Sequence, residues 1–332
     1  MTARTMSADP LDAIAALVLA EDAFLISTHL YPDGDAIASE LALFHAFARL
    51  GKRAWIVNHS PTSEQYAFLP GIEHVRCLAD APALDARPSV LFSLDCGRFN
   101  RLGDVPARYG CARIINIDHH VTNNAFGELN LVRPEASSTG EILLELAVAC
   151  GVELDLAIAT CIYTAILSDT GRFCYANTSP RVHELAARLI ALGVDPAEIS
   201  REMFRSRSLA QLRLFALLVG TLQLSPDGRV AWATLSHAMC QEAGLGMIDT
   251  LDAVQIPISV RGVELGLLFR ETDDPAEVKL SLRSEGTIDV AALASRFGGG
   301  GHPCASGCTL SGPLELVRDR TVRALLELVA RP

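Results

Sequence analysis

The chain has 332 residues, half of them hydrophobic, and carries 39 acidic against 28 basic side chains for a formal net charge of -11. That length exceeds what one hydrophobic core usually fills and predicts two domains. The negative balance excludes a protein that grips long nucleic acid through a broad basic face, although a local basic pocket for a short anion is still allowed.

In chain order, residues 23–29 (AFLISTH) read as a strand and 35–51 as an amphipathic helix closed by Gly51. Three more strands are expected at 53–59, 89–96 and 112–120. Helices follow at 137–151 and 155–171, the first with Ser138 and Glu141 at capping-box spacing. Strands alternating with helices predict a mainly parallel sheet covered on both faces. From Ser179 the pattern is helical and carries Arg201, Arg205, Arg207 and Arg213. A second unit begins near Asp227, with strands at 229–235, 256–271 and 277–284, a helix at 289–297, the run Gly298–His302 and a final helix. The expected class is α/β: an N-terminal domain at 1–188, a helical connector at 189–222 and a smaller α/β domain at 223–332. Neither a Rossmann glycine fingerprint nor a P-loop lysine motif is present.

Nine scattered cysteines, an odd number, suggest reduced packing residues rather than a disulfide framework. His302, Cys304 and Cys308 lack a fourth ligand at the paired spacing of a zinc site, so packing is the preferred reading there too. No apolar run reaches the ~18 residues of a membrane span, and no leader pattern opens the chain. A soluble cytoplasmic protein is expected.

The chemistry lies at the strand ends, where open α/β sheets bind their ligands. The apolar run Ile114-Ile115-Asn116-Ile117 stops on Asp118, His119 and His120; the first strand leads to His29, Asp33 and Asp35; the strand at 89–96 ends around Asp95; and Asp169 closes an apolar helix before Gly171. One such residue alone is usually a cap or a turn former. Four carboxylates and two imidazoles on one rim would repel and desolvate one another unless cations sat between them. Oxygen and imidazole donors without thiolate suit Mn2+ or Mg2+, with Zn2+ and Co2+ also admissible. Two divalent ions would neutralise Asp33, Asp35, Asp95 and Asp169 and catalyse phosphoester hydrolysis. In the second unit, four consecutive glycines have little reason to form a helix or strand and suggest close backbone approach with N–H groups suited to an anion, and Arg283 could fork onto a phosphate.

Together these motifs resemble the DHH phosphoesterase family. His29-Leu-Tyr-Pro-Asp33-Gly-Asp35-Ala-Ile-Ala-Ser39 is similar to its first motif, Ser93-Leu-Asp95 to its second, Asp118-His119-His120 to the third and Ser168-Asp169-Thr170-Gly171 to the fourth. Residues 281–307, which contain the glycine run, look like the substrate-binding C-terminal domain of that family. Ala38 stands where the family often has glycine. The resemblance implies that His29 and Asp33 hold one metal, that Asp35, His119 and Asp169 hold the other, and that Asp95 bridges them. It further implies that Asp118 orients a histidine, that His120 lies beside the phosphate, and that Arg283, Gly299, Gly300, Gly301 and His302 contact substrate.

The compact two-domain length looks most like the branch that hydrolyses RNAs of two to five nucleotides and 3',5'-nucleoside bisphosphate. Two ions, Mn2+ before Mg2+ or Co2+, short RNA or DNA as substrates and a homodimer are therefore expected. The alternatives are a phosphodiesterase of cyclic di-AMP or linear dinucleotides and a non-catalytic nucleotide-binding regulator.

Overall fold

A computed structural model describes residues 9–81, 84–204, 207–246 and 253–329. The chain divides into two compact units, Met1–Ser206 and Arg207–Pro332. No helix among the described residues is long and apolar enough to cross a membrane.

The first unit runs α1 (Pro10–Ala20), β1 (Ala23–Ser27), α2 (Gly34–Arg49), β2 (Arg53–Asn58), β3 (Val75–Cys77), β4 (Val90–Leu94), α3 (Val105–Tyr109), β5 (Arg113–Asp118), β6 (Leu129–Val132), α4 (Thr139–Ala149), α5 (Leu156–Asp169), α6 (Pro180–Ala191) and α7 (Pro196–Phe204). Its strands form one parallel sheet in the order β3-β2-β1-β4-β5-β6. β1 and β4 are buried along their whole length, as strands covered on both faces must be. Alternate residues feed opposite layers: Phe24, Ile26 and Phe92 face the layer that includes α2, α4 and α5, while Leu25, Val57 and Leu91 pack with Leu102 and Val105. Phe24 stacks on Phe47 with centroids 4.3 Å apart, and each meets Phe92 edge-on. Burying each such ring contributes on the order of 2–3 kcal/mol.

This order has a functional consequence. The strand sequence reverses between neighbours β1 and β4, so the loops leaving their carboxyl ends diverge and open a crevice there. Helix caps set the local geometry: Asp33 caps α2 by accepting from Ala36 N, and Ser138 caps α4 by accepting from Glu141 N at 3.2 Å. The anticipated capping box is half realised, because the Glu141 carboxylate reaches Ser137 instead, accepting from its N and Oγ at 2.8 Å each.

The second unit comprises α8 (Leu209–Gly220), β7 (Gln223–Leu224), β8 (Val230–Leu235), α9 (His237–Ala243), α10 (Gln255–Ile258), β9 (Leu265–Glu271), β10 (Glu277–Ser284), α11 (Val290–Ser295), β11 (Gly300–His302), β12 (Ala305–Ser311) and α12 (Leu314–Val329). The sheet order is β11-β12-β10-β9-β8-β7, antiparallel except for β8 with β9. One core places Leu267, Phe269, Leu280 and Leu282 with Val290, Val322 and Leu325; another gathers Leu214, Leu218, Leu235 and Leu268.

Three expectations change. The strand expected at 256–271 begins only at Leu265, after the left-handed turn at Gly262, and its first residues belong to α10. The glycine run, expected to lack regular structure, supplies edge strand β11, with Gly300 opposite Gly307. A Cβ at Gly299 would sit 2.2 Å from the Gly307 carbonyl oxygen, so the hairpin itself requires glycine there. Residues 189–222 are shared between the units: Ile199 and Met203 of α7 join the first core, whereas Leu214 and Leu218 of α8 join the second unit.

Candidate active site

The crevice beside β1 and β4 collects every predicted residue of the first unit. The loop after β1 carries His29 and Asp33, and Asp35 lies in the first turn of α2. Asp95 follows β4 with φ of +52°, a left-handed conformation seldom adopted by residues with a Cβ and associated with functional sites. Asp118 ends β5, His119 and His120 follow it, and Asp169 is the last residue of α5. Gly34 makes the approach of α5 possible: a Cβ there would lie 2.5 Å from Ser168 Oγ and 2.9 Å from Ser168 Cβ.

Around Asp95 the distances define two adjoining groups. Its Oδ2 lies 3.5 Å from His29 Nε2, which in turn is 4.0 Å from Asp33 Oδ2. Its Oδ1 lies 3.5 Å from His119 Nε2 and 3.6 Å from His120 Nδ1. His119 Nε2 also faces Asp169 Oδ2 at 3.0 Å and Asp35 Oδ2 at 3.5 Å. Within each of the sets His29–Asp33–Asp95, Asp35–His119–Asp169 and Asp95–His119–His120, the donor atoms lie within 4.8 Å of one another. The two oxygens of Asp95 therefore look toward different imidazoles.

The ring orientations suit metal ligation. His119 Nδ1 donates to the Ala136 carbonyl at 3.2 Å, and His29 Nδ1 lies 2.9 Å from that of Leu30. A carbonyl can only accept, so His119 Nδ1 carries the proton and its Nε2 can turn a lone pair toward the carboxylates. Asp35 is held by backbone: Thr139 N donates at 2.7 Å and Gly140 N at 3.1 Å from the start of α4, and Ser39 Oγ donates at 2.9 Å. Asp118 Oδ1 accepts from His119 N and His120 N and lies 2.7 Å from His120 Nδ1, while Oδ2 accepts from Asn123 Nδ2 at 2.5 Å.

Burial and charge push these groups apart. Burial, with Asp95 and Asp169 adding repulsion, raises the Asp35 carboxyl well above its ordinary range. Burial also acts upward on Asp95, but His119, His29 and His120 together hold it well below that range. His119 is raised well above an ordinary imidazole, since Asp169, Asp95 and Asp35 outweigh its burial. Asp118 is lowered and His120 raised, each by the other against the opposing effect of burial. A pocket that wants positive charge this strongly, built of oxygen and imidazole donors, fits divalent cations.

Comparison with known proteins decides the family. Residues 23–166 match the DHH family, N-terminal domain, and residues 237–331 match the DHHA1 domain. The chain belongs to the DHH family. It is 35% identical to the bifunctional oligoribonuclease and PAP phosphatase NrnA of Thermus thermophilus, over 94% of this chain and 91% of that one. It is 26% identical to the cyclic-di-AMP phosphodiesterase GdpP of Geobacillus thermodenitrificans, over 90% of this chain but 46% of that protein. The crystal structure of an exopolyphosphatase-related protein from Bacteroides fragilis superposes with a TM-score of 0.85 at 26% identity, covering 98% of this chain and 99% of that one.

In the second unit of this DHH-family chain, the register sets Arg283, Ala305 and His302 in one row across β10, β12 and β11. Arg283 Nη1 donates to the Leu282 carbonyl at 3.0 Å. The backbone of His302 ends β11; its side chain lies outside the described residues. Gly299 and Gly301 have a local cause in the close approach of β12, since a Cβ on Gly301 would lie 2.5 Å from the Ala305 oxygen.

Five residues of this DHH-family site stand outside the set expected from the sequence. Thr139 Oγ1 donates to Asp95 Oδ1 at 3.0 Å, and Asn123 ties Asp118 to Asn116. Arg101 Nη2 sits 3.1 Å from His29 Nδ1 and donates to the Leu30 carbonyl. Buried Glu40 accepts from Asn58 Nδ2 at 2.7 Å, and Asn58 Oδ1 accepts from Thr28 N just ahead of His29. Asn58 thereby supports the His29 loop. Asn123 alone had a local signal, five residues after Asp118.

Proposed function

We propose that the chain is a cytoplasmic phosphoesterase that hydrolyses oligonucleotides of about two to five residues, a range that fits a few pocket contacts rather than a long basic track, and 3',5'-nucleoside bisphosphate. The observation that carries this reading is the placement of the Asp95 oxygens toward His29 on one side and His119 on the other. His29 and Asp33 would hold one ion, Asp35, His119 and Asp169 a second, and Asp95 both. Two ions, Mn2+ first among candidates, would supply Lewis acidity at the phosphoryl group and make water acidic enough to attack it. Asp118 fixes His120 through Nδ1, so that imidazole is positioned to give a proton to the departing oxygen. Thr139 and the start of α4 hold the inner carboxylates against rotation. Arg283, Gly299, Gly300, Gly301 and His302 would contact the substrate from the second unit.

The net charge of -11 favours short substrates, because a long polyanion meets repulsion beyond the pocket. Similarity over the full length to a protein named oligoribonuclease and PAP phosphatase supports the same choice. The test compares turnover of a 5'-phosphorylated dinucleotide, 3'-phosphoadenosine 5'-phosphate, cyclic di-AMP and pyrophosphate with Mn2+. Preference for the first two is expected; a strong preference for cyclic di-AMP or pyrophosphate overturns the assignment. The cyclic dinucleotide is the second reading, favoured by the 26% identity to a cyclic-di-AMP phosphodiesterase.

A further inference from the structure

Two aromatic side chains stand half exposed on the loops that carry the candidate ligands. Tyr31 is 47% exposed and Phe99 46% exposed. Neither belongs to a hydrophobic core cluster of the first unit. Tyr31 holds φ at +57°, two residues after His29 and two before Asp33. A bulky residue in that conformation is sustained only where its surroundings fix it. Leu30 N donates to the Arg101 carbonyl at 2.7 Å, and Arg101 Nη2 donates back to the Leu30 carbonyl at 3.3 Å. Those two bonds tie the Tyr31 loop to the short 3-10 helix Phe99–Leu102, which Phe99 opens.

Phe99 is supported from below. Its ring meets Phe126 edge-on with centroids 5.9 Å apart, and Phe126 packs on the core beneath. The turn that leads into Phe99 rests on the DHH motif: Asn124 N donates to the Gly97 carbonyl at 3.1 Å, and a Cβ on Gly97 would lie 3.6 Å from Asp118 Oδ2 and 3.7 Å from His120 Cβ. Arg98 between them is exposed. Two aromatic residues and two arginines therefore lie on the tied loops that carry His29, Asp33 and Asp95, in a chain whose overall charge is negative.

We propose that Tyr31 and Phe99, flanked by Arg98 and Arg101, form a rest for a nucleobase on the catalytic unit, next to the phosphate under attack. This rests on the phosphoesterase reading above and adds what that reading lacks, a reason to distinguish a nucleotide from a bare phosphoester. Every base offers a π-face to an aromatic ring and an arginine plane, so such a rest selects for a base without selecting which one. Hydrolysis of a phosphate alone gives no use for exposed rings in these positions.

The test uses the full chain loaded with Mn2+ and two substrates, a 5'-phosphorylated dinucleotide and the same molecule with abasic sugars. The wild type should show the lower KM for the base-bearing substrate. Tyr31→Ala with Phe99→Ala should raise that KM by about 10- to 100-fold, leaving kcat and the abasic KM within about twofold, which also reports an intact fold. Tyr31→Phe and Phe99→Trp should retain the preference. Equal KM values in the wild type, or a base preference that survives the double alanine variant, overturn the base rest while leaving the phosphoesterase standing. A wild type inert toward both substrates overturns the two together.

Discussion

Replacing Glu40 by Gln tests whether the interior beneath the His29 loop has been read correctly. Glu40 is fully buried in α2. Burial pushes its carboxyl from the ordinary 4.5 up to about 8, with the hydrogen bond from Asn58 pulling the other way. Its Oε1 has no hydrogen-bond partner among the described residues, so nothing at that oxygen offsets the cost of burying a carboxylate charge. The folded chain therefore binds a proton that the unfolded chain releases above pH 4.5, and the stability present below that pH is lost as pH climbs through about 8. At 1.36 kcal/mol per pH unit the whole loss is about 5 kcal/mol, of which about 3 kcal/mol falls between pH 5.5 and 8.5. Gln keeps the acceptor for Asn58 and removes the titration. Urea unfolding at a series of pH values, on metal-stripped protein, measures the difference between the two chains so that all other titrations cancel. Trp55 on β2 reports the relevant unit once Trp232, the other of the two tryptophans, is replaced by Phe. Glu40→Gln should gain about 3 kcal/mol on the wild type across this range and be the more stable chain at pH 8.5. Parallel profiles would refute a buried, protonated Glu40.

Three further outcomes are expected. Asp95→Ala removes the one carboxylate common to two donor groups; calorimetric Mn2+ uptake should fall below two per chain and turnover by at least ~1,000-fold, and two ions with near-normal turnover would contradict the shared-ligand geometry. Gly34→Ala drives a Cβ to within 2.9 Å of Ser168 Cβ; a loss of about 1–3 kcal/mol in thermal unfolding, with weaker Mn2+ binding, is expected, and an unchanged melting temperature would deny the close approach of α5. Glu141→Ala strips Ser137 N and Oγ of their acceptor beside Ala136, whose carbonyl fixes His119; Mn2+ affinity should drop about 10- to 100-fold, and equal affinity would show that the loop holds itself.

The acidic cluster was legible because charge interrupts apolar pattern. Asp95, Asp118 and Asp169 lie at the ends of largely apolar, largely buried segments, and a carboxylate in such a place has few structural uses. The side chains that hold the cluster were not legible. Thr139 and Asn123 belong to residue types that cap helices and shape turns everywhere, and Thr139 meets Asp35 across 104 positions of sequence. Chain-distant pairing leaves no periodicity to read. The second unit was misread for a related reason: Ile256 and Ile258 look like strand residues until they are found within helix α10, and glycines look like loop until Gly307 is found opposite Gly300.

What the fold achieves is a division between a fixed interior and a selective edge. Asp35, Asp95, Asp118 and His119 are buried, and each is tied by backbone groups or by a neighbour that backbone groups hold. Asp33 and Asp169, with side chains 50% and 20% exposed, form the side open to solvent. Reactant must arrive on that side, past the loops that carry Tyr31 and Phe99. The parallel sheet fixes distances that no single loop could hold, since its strand ends are locked by hydrogen bonds on both sides. Chemistry in this chain is thus set by the switch point of the sheet, and the choice of substrate by the residues that rim it.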